Sequence, residues 1–365
     1  VNDDGEAPGI RRAWGWAAHL RDGGTTPWRD WTVEGTAHGR HLPGAQQLEL
    51  LRRLNEAGAV PDQLAARVLE ASAPGRGRPD LELAGSVGSL AFGPPPIDPV
   101  DLDADELLRV AAGLLAEDVH AAGLPEPAPV RLRRWRTRYR MVGDPMLADP
   151  RRADLISRGR PPGGRNELVL VLGTDVAQLM VDAWTARSIG GGVSPWPEFV
   201  RRARRLDTLP SRVDLAQLAR TAAERVGVRR VRVVLDVDAL PRLVGVRRPL
   251  AVGPEISADA AELARRTGQV LALLATPVER AALLREVLVP RLAEHPGPAL
   301  VLPRRHVEWA RGQARAMRDE LVRAGYPVHG DPDGLLPVVR PGVSHPSDAG
   351  VLALALRLLL EKKVS

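Results

Sequence analysis

Two segments of this 365-residue chain echo each other at long range, and that echo constrains the fold more than any other feature. Trp16, Gly23-Gly24, Pro27-Trp28 and Trp31 reappear as Trp184, Gly191-Gly192, Pro195-Trp196 and Phe199, at the constant offset that separates Trp16 from Trp184. One residue is then lost, so that Leu42-Pro43 corresponds to Leu209-Pro210, and Leu48 and Leu51 correspond to Leu215 and Leu218. Such a set is hard to obtain by chance in a chain with only 8 tryptophans. The spacing is far too long for a solenoid, whose repeats run to roughly 20–50 residues. A duplicated domain or half-domain is the expectation. Almost nothing precedes Trp14, whereas an apolar strand precedes Trp184, so the first copy reads as incomplete. The tryptophans are expected to pack in a core or between domains rather than to offer a stacking surface to a sugar or a base.

The remaining pattern separates two regions. Up to about Glu126 the chain reads as helices and loops. Gln46–Leu54 and Pro61–Ala71 carry apolar residues at helical spacing, Pro74–Pro79 and Gly93–Pro96 are breakers, and Asp103 or Asp105 can cap a helix running to about His120. Pro125–Pro129 reads as a linker, which sets the expected domains at 1–126 and 127–365. Beyond it, Arg138–Val142, Leu168–Leu172 and Val231–Leu235 read as short strands and Ala299–Leu302 as an extended segment, with helices between and after them, including His306–Ala324 and Ser347–Leu360. Apolar strands alternating with helices predict an α/β fold: a parallel sheet covered by helices, joined to a mainly helical N-terminal region.

Composition removes several chemistries. The absence of cysteine excludes disulfides, thiolate zinc sites, iron–sulfur clusters and a cysteine nucleophile. With no basic-plus-apolar leader visible, it also points to a reducing, cytoplasmic setting. No apolar run is long enough to span a membrane, so no transmembrane segment is expected. Lysine occurs only at Lys362 and Lys363, which leaves no interior lysine for a phosphate loop or a Schiff base. The net charge is +6, carried by arginines that often come in pairs, such as Arg133–Arg134, Arg201–Arg202, Arg204–Arg205 and Arg229–Arg230. Anionic partners, a glycan or a nucleotide, suit that charge. No nucleic-acid-binding motif accompanies the arginines, so nucleic acid is not expected.

Three places carry candidate chemistry. Gly143-Asp144-Pro145 and Gly173-Thr174-Asp175 each follow a strand and precede a helix, where α/β proteins bind anions on free amides. The same residues also make turns and cap helices, and that is the plainer reading. The third is Gly342–Gly350, where His345 is a candidate base and Ser347 and Asp348 a candidate cap and first-turn acid. His329 is a similar lone histidine, and His38 and His41 lack a third metal ligand nearby, so no metal site is expected.

From about Arg138 onward the chain resembles bacterial sulfotransferase-like proteins that use the sulfate donor PAPS. The likeness rests on His306-Val-Glu-Trp309, on Leu321–Asp331 with Leu335-Leu-Pro337, and on Leu168–Phe199. It implies a P-loop-like α/β domain with PAPS or its product PAP held near Gly143, Asp144, Gly173 and Thr174, and Ser188 matching a phosphate-binding serine. The family's lysine and hydroxyl are absent from Gly143–Pro145, and its phosphate-binding arginine falls at Thr174 or Asp175. The resemblance therefore implies a degenerate donor site in a non-catalytic binding or assembly protein that engages an anionic ligand or a protein partner. The alternative it leaves is a divergent sulfotransferase acting on a glycan or small-molecule hydroxyl. A fainter likeness is to SGNH-type hydrolases, through Gly143-Asp-Pro145, Gly173-Thr-Asp175 and Gly342–His345. Proline stands there for the nucleophilic serine, so that likeness implies a degenerate hydrolase.

Overall fold

A computed structural model describes residues 8–36, 41–71, 80–86, 94–126, 138–164 and 166–361. His38, the Pro74–Pro79 breaker, Gly93, the Arg133–Arg134 pair, most of the Pro125–Pro129 linker and both lysines lie outside the described residues.

The first stretch carries α1 (Pro8–Arg21), α2 (Ala45–Ala57), α3 (Asp62–Glu70) and α4 (Ala104–Ala122). Strands and helices then alternate as β1 (Tyr139–Gly143), α5 (Pro145–Ser157), β2 (Leu168–Leu172), α6 (Val176–Gly190), α7 (Trp196–Leu206), α8 (Leu215–Val226) and β3 (Val231–Val234). The chain continues through α9 (Leu240–Leu243), α10 (Ala258–Leu271), α11 (Pro277–Leu283), α12 (Val289–Ala293), α13 (Val307–Arg323), β4 (Val328–His329) and α14 (Asp348–Leu360). Two compact units emerge. The first joins the chain through Gly123 to Glu262–Arg291 and the stretch from Ser347; the second comprises Leu124–Ala261 and Leu292–Pro346. The region read from sequence as one domain, 127–365, thus lends two of its stretches to the first unit.

The second unit is a parallel sheet in the order β1-β2-β3-β4. Its middle strand explains the layering. Successive side chains of a strand point to opposite faces, and in Leu168-Val-Leu-Val-Leu172 every one is apolar. Val169 and Val171 enter a cluster with α6, α7, α8 and α13. Leu170 and Leu172 enter another with Tyr139, Met141, Ala148 and Leu155 of β1 and α5. Both faces are therefore covered, as an unbroken apolar run requires. The short β4 was not visible in the sequence; Val328 and His329 sit between Pro327 and Gly330, too few for a recognisable alternation. The extended segment expected at Ala299–Leu302 forms a single parallel bridge, Leu300 with Val343.

The first unit is mainly helical, and the tryptophan segment recurs in it as geometry. Trp16 Nε1 donates to the Thr26 carbonyl at 2.8 Å, and its counterpart Trp184 donates to the Ser194 carbonyl at 3.0 Å. The ring pairs Trp16–Trp28 and Trp184–Trp196 are tilted alike, at centroid distances of 5.3 and 5.6 Å. Trp28 and Trp196 each give their N–H to a distant carbonyl, of Ala84 and Ser344 respectively. All four rings are buried, so none offers a stacking surface. The segments diverge at the next aromatic: Trp31 stacks on His19, whereas Phe199 stacks on Trp196.

A second recurrence lies in the ion pairs. Glu49, Arg52 and Arg53 of α2 and Glu262, Arg265 and Arg266 of α10 share the spacing E-L-x-R-R. Each glutamate is buried and bridges both of its arginines. Arg266 also reaches Asp105 of α4 and Asp348 of α14, fixing three stretches of the first unit to one another. Helix α14 begins as expected, with the Gly350 amide donating to Ser347 Oγ at 3.0 Å. Ser347→Ala is expected to cost ~1 kcal/mol, the usual worth of such a cap, read as a lowered midpoint in thermal denaturation.

Candidate functional site

The carboxyl ends of β1 and β2 hold most of the sequence candidates. Gly143 closes β1 with φ +99°, and a Cβ there would lie 2.1 Å from the Leu172 carbonyl oxygen, so only glycine fits. Asp144 is fully buried and caps α5, accepting from the amides of Met146 and Leu147 at 2.8 and 3.2 Å. Those are the first-turn amides that a helix start would otherwise turn toward an anion. The other oxygen of Asp144 finds no N–H donor. The carboxyl group of Asp182 on α6 lies beside Asp144. Two carboxyl groups can bond only if one keeps a proton. Burial pushes both up, and burial together with the charge of Asp144 raises Asp182 to about 9.

Cations surround the pair without entering it. Arg151 is buried, and burial lowers its guanidinium below the ordinary arginine range. Arg212 spends its donors on the Gly143 carbonyl and, in a two-pronged pair, on Asp149. Gln178 Nε2 donates to Asp182 at 2.9 Å. The result is a buried polar network built around two neighbouring carboxyl groups.

At the end of β2, a Cβ on Gly173 would meet Leu215, and its amide donates to the Val234 carbonyl. Thr174 is half-buried beside it. Asp175 is buried, caps α6 through the Gln178 amide, and pairs with Arg340. Ser188 lies further along α6, fully buried, with an Oγ that has no partner. His329 stands on the edge strand β4, where its carbonyl takes the amides of Leu235 and Asp236. Gly143, Asp144, Gly173, Thr174 and Asp175 thus flank one strand pair, while Ser188 and His329 sit apart from it. Asp182 escaped sequence reasoning, although its signal was present: an aspartate between Val181 and Ala183 on a helix whose neighbours are apolar.

His345 belongs to a different feature, a groove of 960 Å³ in the second unit whose lining includes Leu302, Val339, Arg304, Arg305 and Arg340. Its Nδ1 lies 3.1 Å from Ser344 Oγ. The groove shares Pro197 and Arg305 with a neighbouring cleft of 640 Å³ that adds Arg201, Arg204, Arg205 and His306. The sequence displayed these arginines as pairs but gave no sign that α7 and the turn before α13 bring them together.

No family model, curated protein or solved structure matches this chain. Among the described residues no group of three or more His, Asp or Glu side chains is placed to hold a metal ion. Among them, too, no helix is long and apolar enough to cross a membrane.

Proposed function

We propose that this chain is a sulfotransferase-like protein whose donor site does not take PAPS, and that it works as a non-catalytic binding or assembly protein for an anionic ligand. The observation that carries this reading is the Asp144–Asp182 pair at the end of β1. Sulfuryl transfer needs free amides and cations around the transferring group and the leaving phosphate. Here Asp144 consumes the first amides of α5, a second carboxyl group stands beside it, and Arg212 is committed to Asp149. A phosphosulfate at that turn would meet carboxyl oxygens where it needs donors. At the end of β2 Arg340 is committed to Asp175.

Calorimetric titration with PAP tests the reading, run on the wild-type chain and on the double variant Arg204→Ala/Arg205→Ala. The expected result is no micromolar binding that survives the double substitution. Micromolar binding that does survive it lies outside the arginine cleft, and would overturn the proposal in favour of a divergent transferase.

A further inference from the structure

The cleft between α7 and the turn before α13 gathers Arg201, Arg204, Arg205 and Arg305 around one space, with Arg304 on the adjoining groove. Among the described residues none of these five guanidinium groups has a carboxylate within ion-pair distance, although many other arginines, such as Arg11, Arg52, Arg67, Arg212, Arg265 and Arg266, have one within 4 Å. Three of them donate to neutral acceptors: Arg201 to the Pro197 carbonyl, Arg204 to the Arg305 carbonyl, and Arg305 to the His306 ring. The helix dipole accounts for part of this, since Arg204 and Arg205 lie in the last turn of α7. That effect is worth ~0.3–1 kcal/mol per charge and fades within a turn. It leaves Arg201, Arg304 and Arg305 without a reason to crowd together.

His306 supplies an independent sign. It is 3% exposed and borders the cleft. Arg305 Nε donates to its Nε2 at 3.1 Å, which makes Nε2 the acceptor and leaves the ring proton on Nδ1. That Nδ1 is buried with no partner. Burial and the charges of Arg305 and Arg204 hold the ring neutral. A buried ring donor without a partner thus stands beside cations that have no carboxylate within ion-pair distance.

The neighbouring groove says what the anion is attached to. It opens off the cleft through Pro197 and Arg305, and its wall is largely aliphatic and proline, with Val338 and Val339 exposed at its rim. We infer that the two spaces together bind a phosphate monoester with an apolar body, the phosphoryl group among Arg201, Arg204, Arg205 and Arg305 and the body along Val338 and Val339. A phosphate monoester carries about −1.5 to −2 charges at neutral pH, and its oxygens match the fork of a guanidinium in pairs. A single carboxylate or sulfate ester would neutralise less of the cluster. The inference does not depend on the sulfotransferase-like reading.

Hexyl phosphate and inorganic phosphate are the probes, titrated into the full chain at fixed ionic strength. Hexyl phosphate is expected to bind roughly tenfold more tightly than inorganic phosphate, a step worth about 1.4 kcal/mol. Arg204→Ala/Arg205→Ala should weaken both by at least roughly tenfold. Val339→Asp, at a residue 84% exposed and so safe for folding, should weaken hexyl phosphate alone. A second arm uses phosphatidylcholine vesicles with and without phosphatidic acid. Sedimentation that needs phosphatidic acid and Arg204 and Arg205 assigns the ester to a lipid headgroup; hexyl phosphate binding without sedimentation assigns it to a soluble ester. No binding of hexyl phosphate at millimolar concentration overturns the inference. So does binding that the double arginine variant leaves unchanged, or an equal preference for inorganic phosphate.

Discussion

Replacing Trp196 by alanine is expected to destabilise the second unit by ~3–5 kcal/mol, the cost of emptying a large aromatic site in a closed core. The ring is fully buried, lies 5.6 Å from Trp184 and 6.0 Å from Phe199, and gives its N–H to the Ser344 carbonyl. Alanine removes both the contacts and the donor. Trp196→Phe separates them, because it keeps an aromatic body and leaves the carbonyl unpaired, at a cost nearer ~1–2 kcal/mol. Ser344 adjoins Val343, whose bridge to Leu300 ties the last loop of the unit to the segment before α13. Trp28→Ala should cost a similar amount in the first unit, where the ring repeats the same tilted pairing and long-range donation to Ala84. Urea denaturation followed by circular dichroism measures both. A loss below ~1 kcal/mol at either position would show that the ring is replaceable and that the shared geometry is incidental.

The tryptophan echo illustrates what a sequence can and cannot carry. Residue spacing within Trp16–Trp31 and Trp184–Phe199 was legible because each segment is local, and a local helix-plus-turn fixes which indole meets which carbonyl. Where those indoles then reach, to Ala84 and Ser344, is set by tertiary packing that no spacing encodes. The ring geometry recurs in both segments. The caps at Asp175 and Ser347 were legible for the same local reason. Domain membership was not. Glu262–Arg291 and the final helix belong with the first unit, where Arg266 draws partners from segments far apart in the chain. The E-L-x-R-R spacing was in plain view at both Glu49 and Glu262. It reads as an ordinary solvated i,i+3 and i,i+4 pattern until burial shows otherwise.

The site follows the same division. Glycines at strand ends were readable because turn chemistry is local. The proton-sharing pair was hidden because Asp144 and Asp182 come from different helices, and the arginine cleft because α7 and the turn before α13 are about a hundred residues apart, as the bond from Arg204 to the Arg305 carbonyl shows. Charges that meet only in three dimensions leave no periodicity behind.

The buried carboxyl pair leads to the second large effect, a stability that falls as pH rises. Burial and the charge of Asp144 push Asp182 up to about 9 in the folded chain, whereas an unfolded aspartate titrates near the ordinary ~3.9. Between those values the folded state binds more protons than the unfolded one, so stability falls as pH increases through that window and levels off above about 9. Asp182→Asn has the same shape and needs no borrowed proton. Its amide N–H can donate to the Asp144 carboxylate, which already accepts from Met146 and Leu147, and its carbonyl oxygen can still accept from Gln178 Nε2. The variant is therefore expected to match the wild type near pH 4 and to exceed it by at least ~2 kcal/mol at pH 9, a modest share of what a shift of several pH units would yield at ~1.4 kcal/mol each. Groups that do not touch the pair titrate in both proteins and cancel in the difference. Denaturation midpoints measured for the two chains from pH 4 to about 9.5 read the effect directly. Parallel profiles across that range would mean that the two carboxyl groups share no proton, and would remove the observation on which the non-catalytic reading rests.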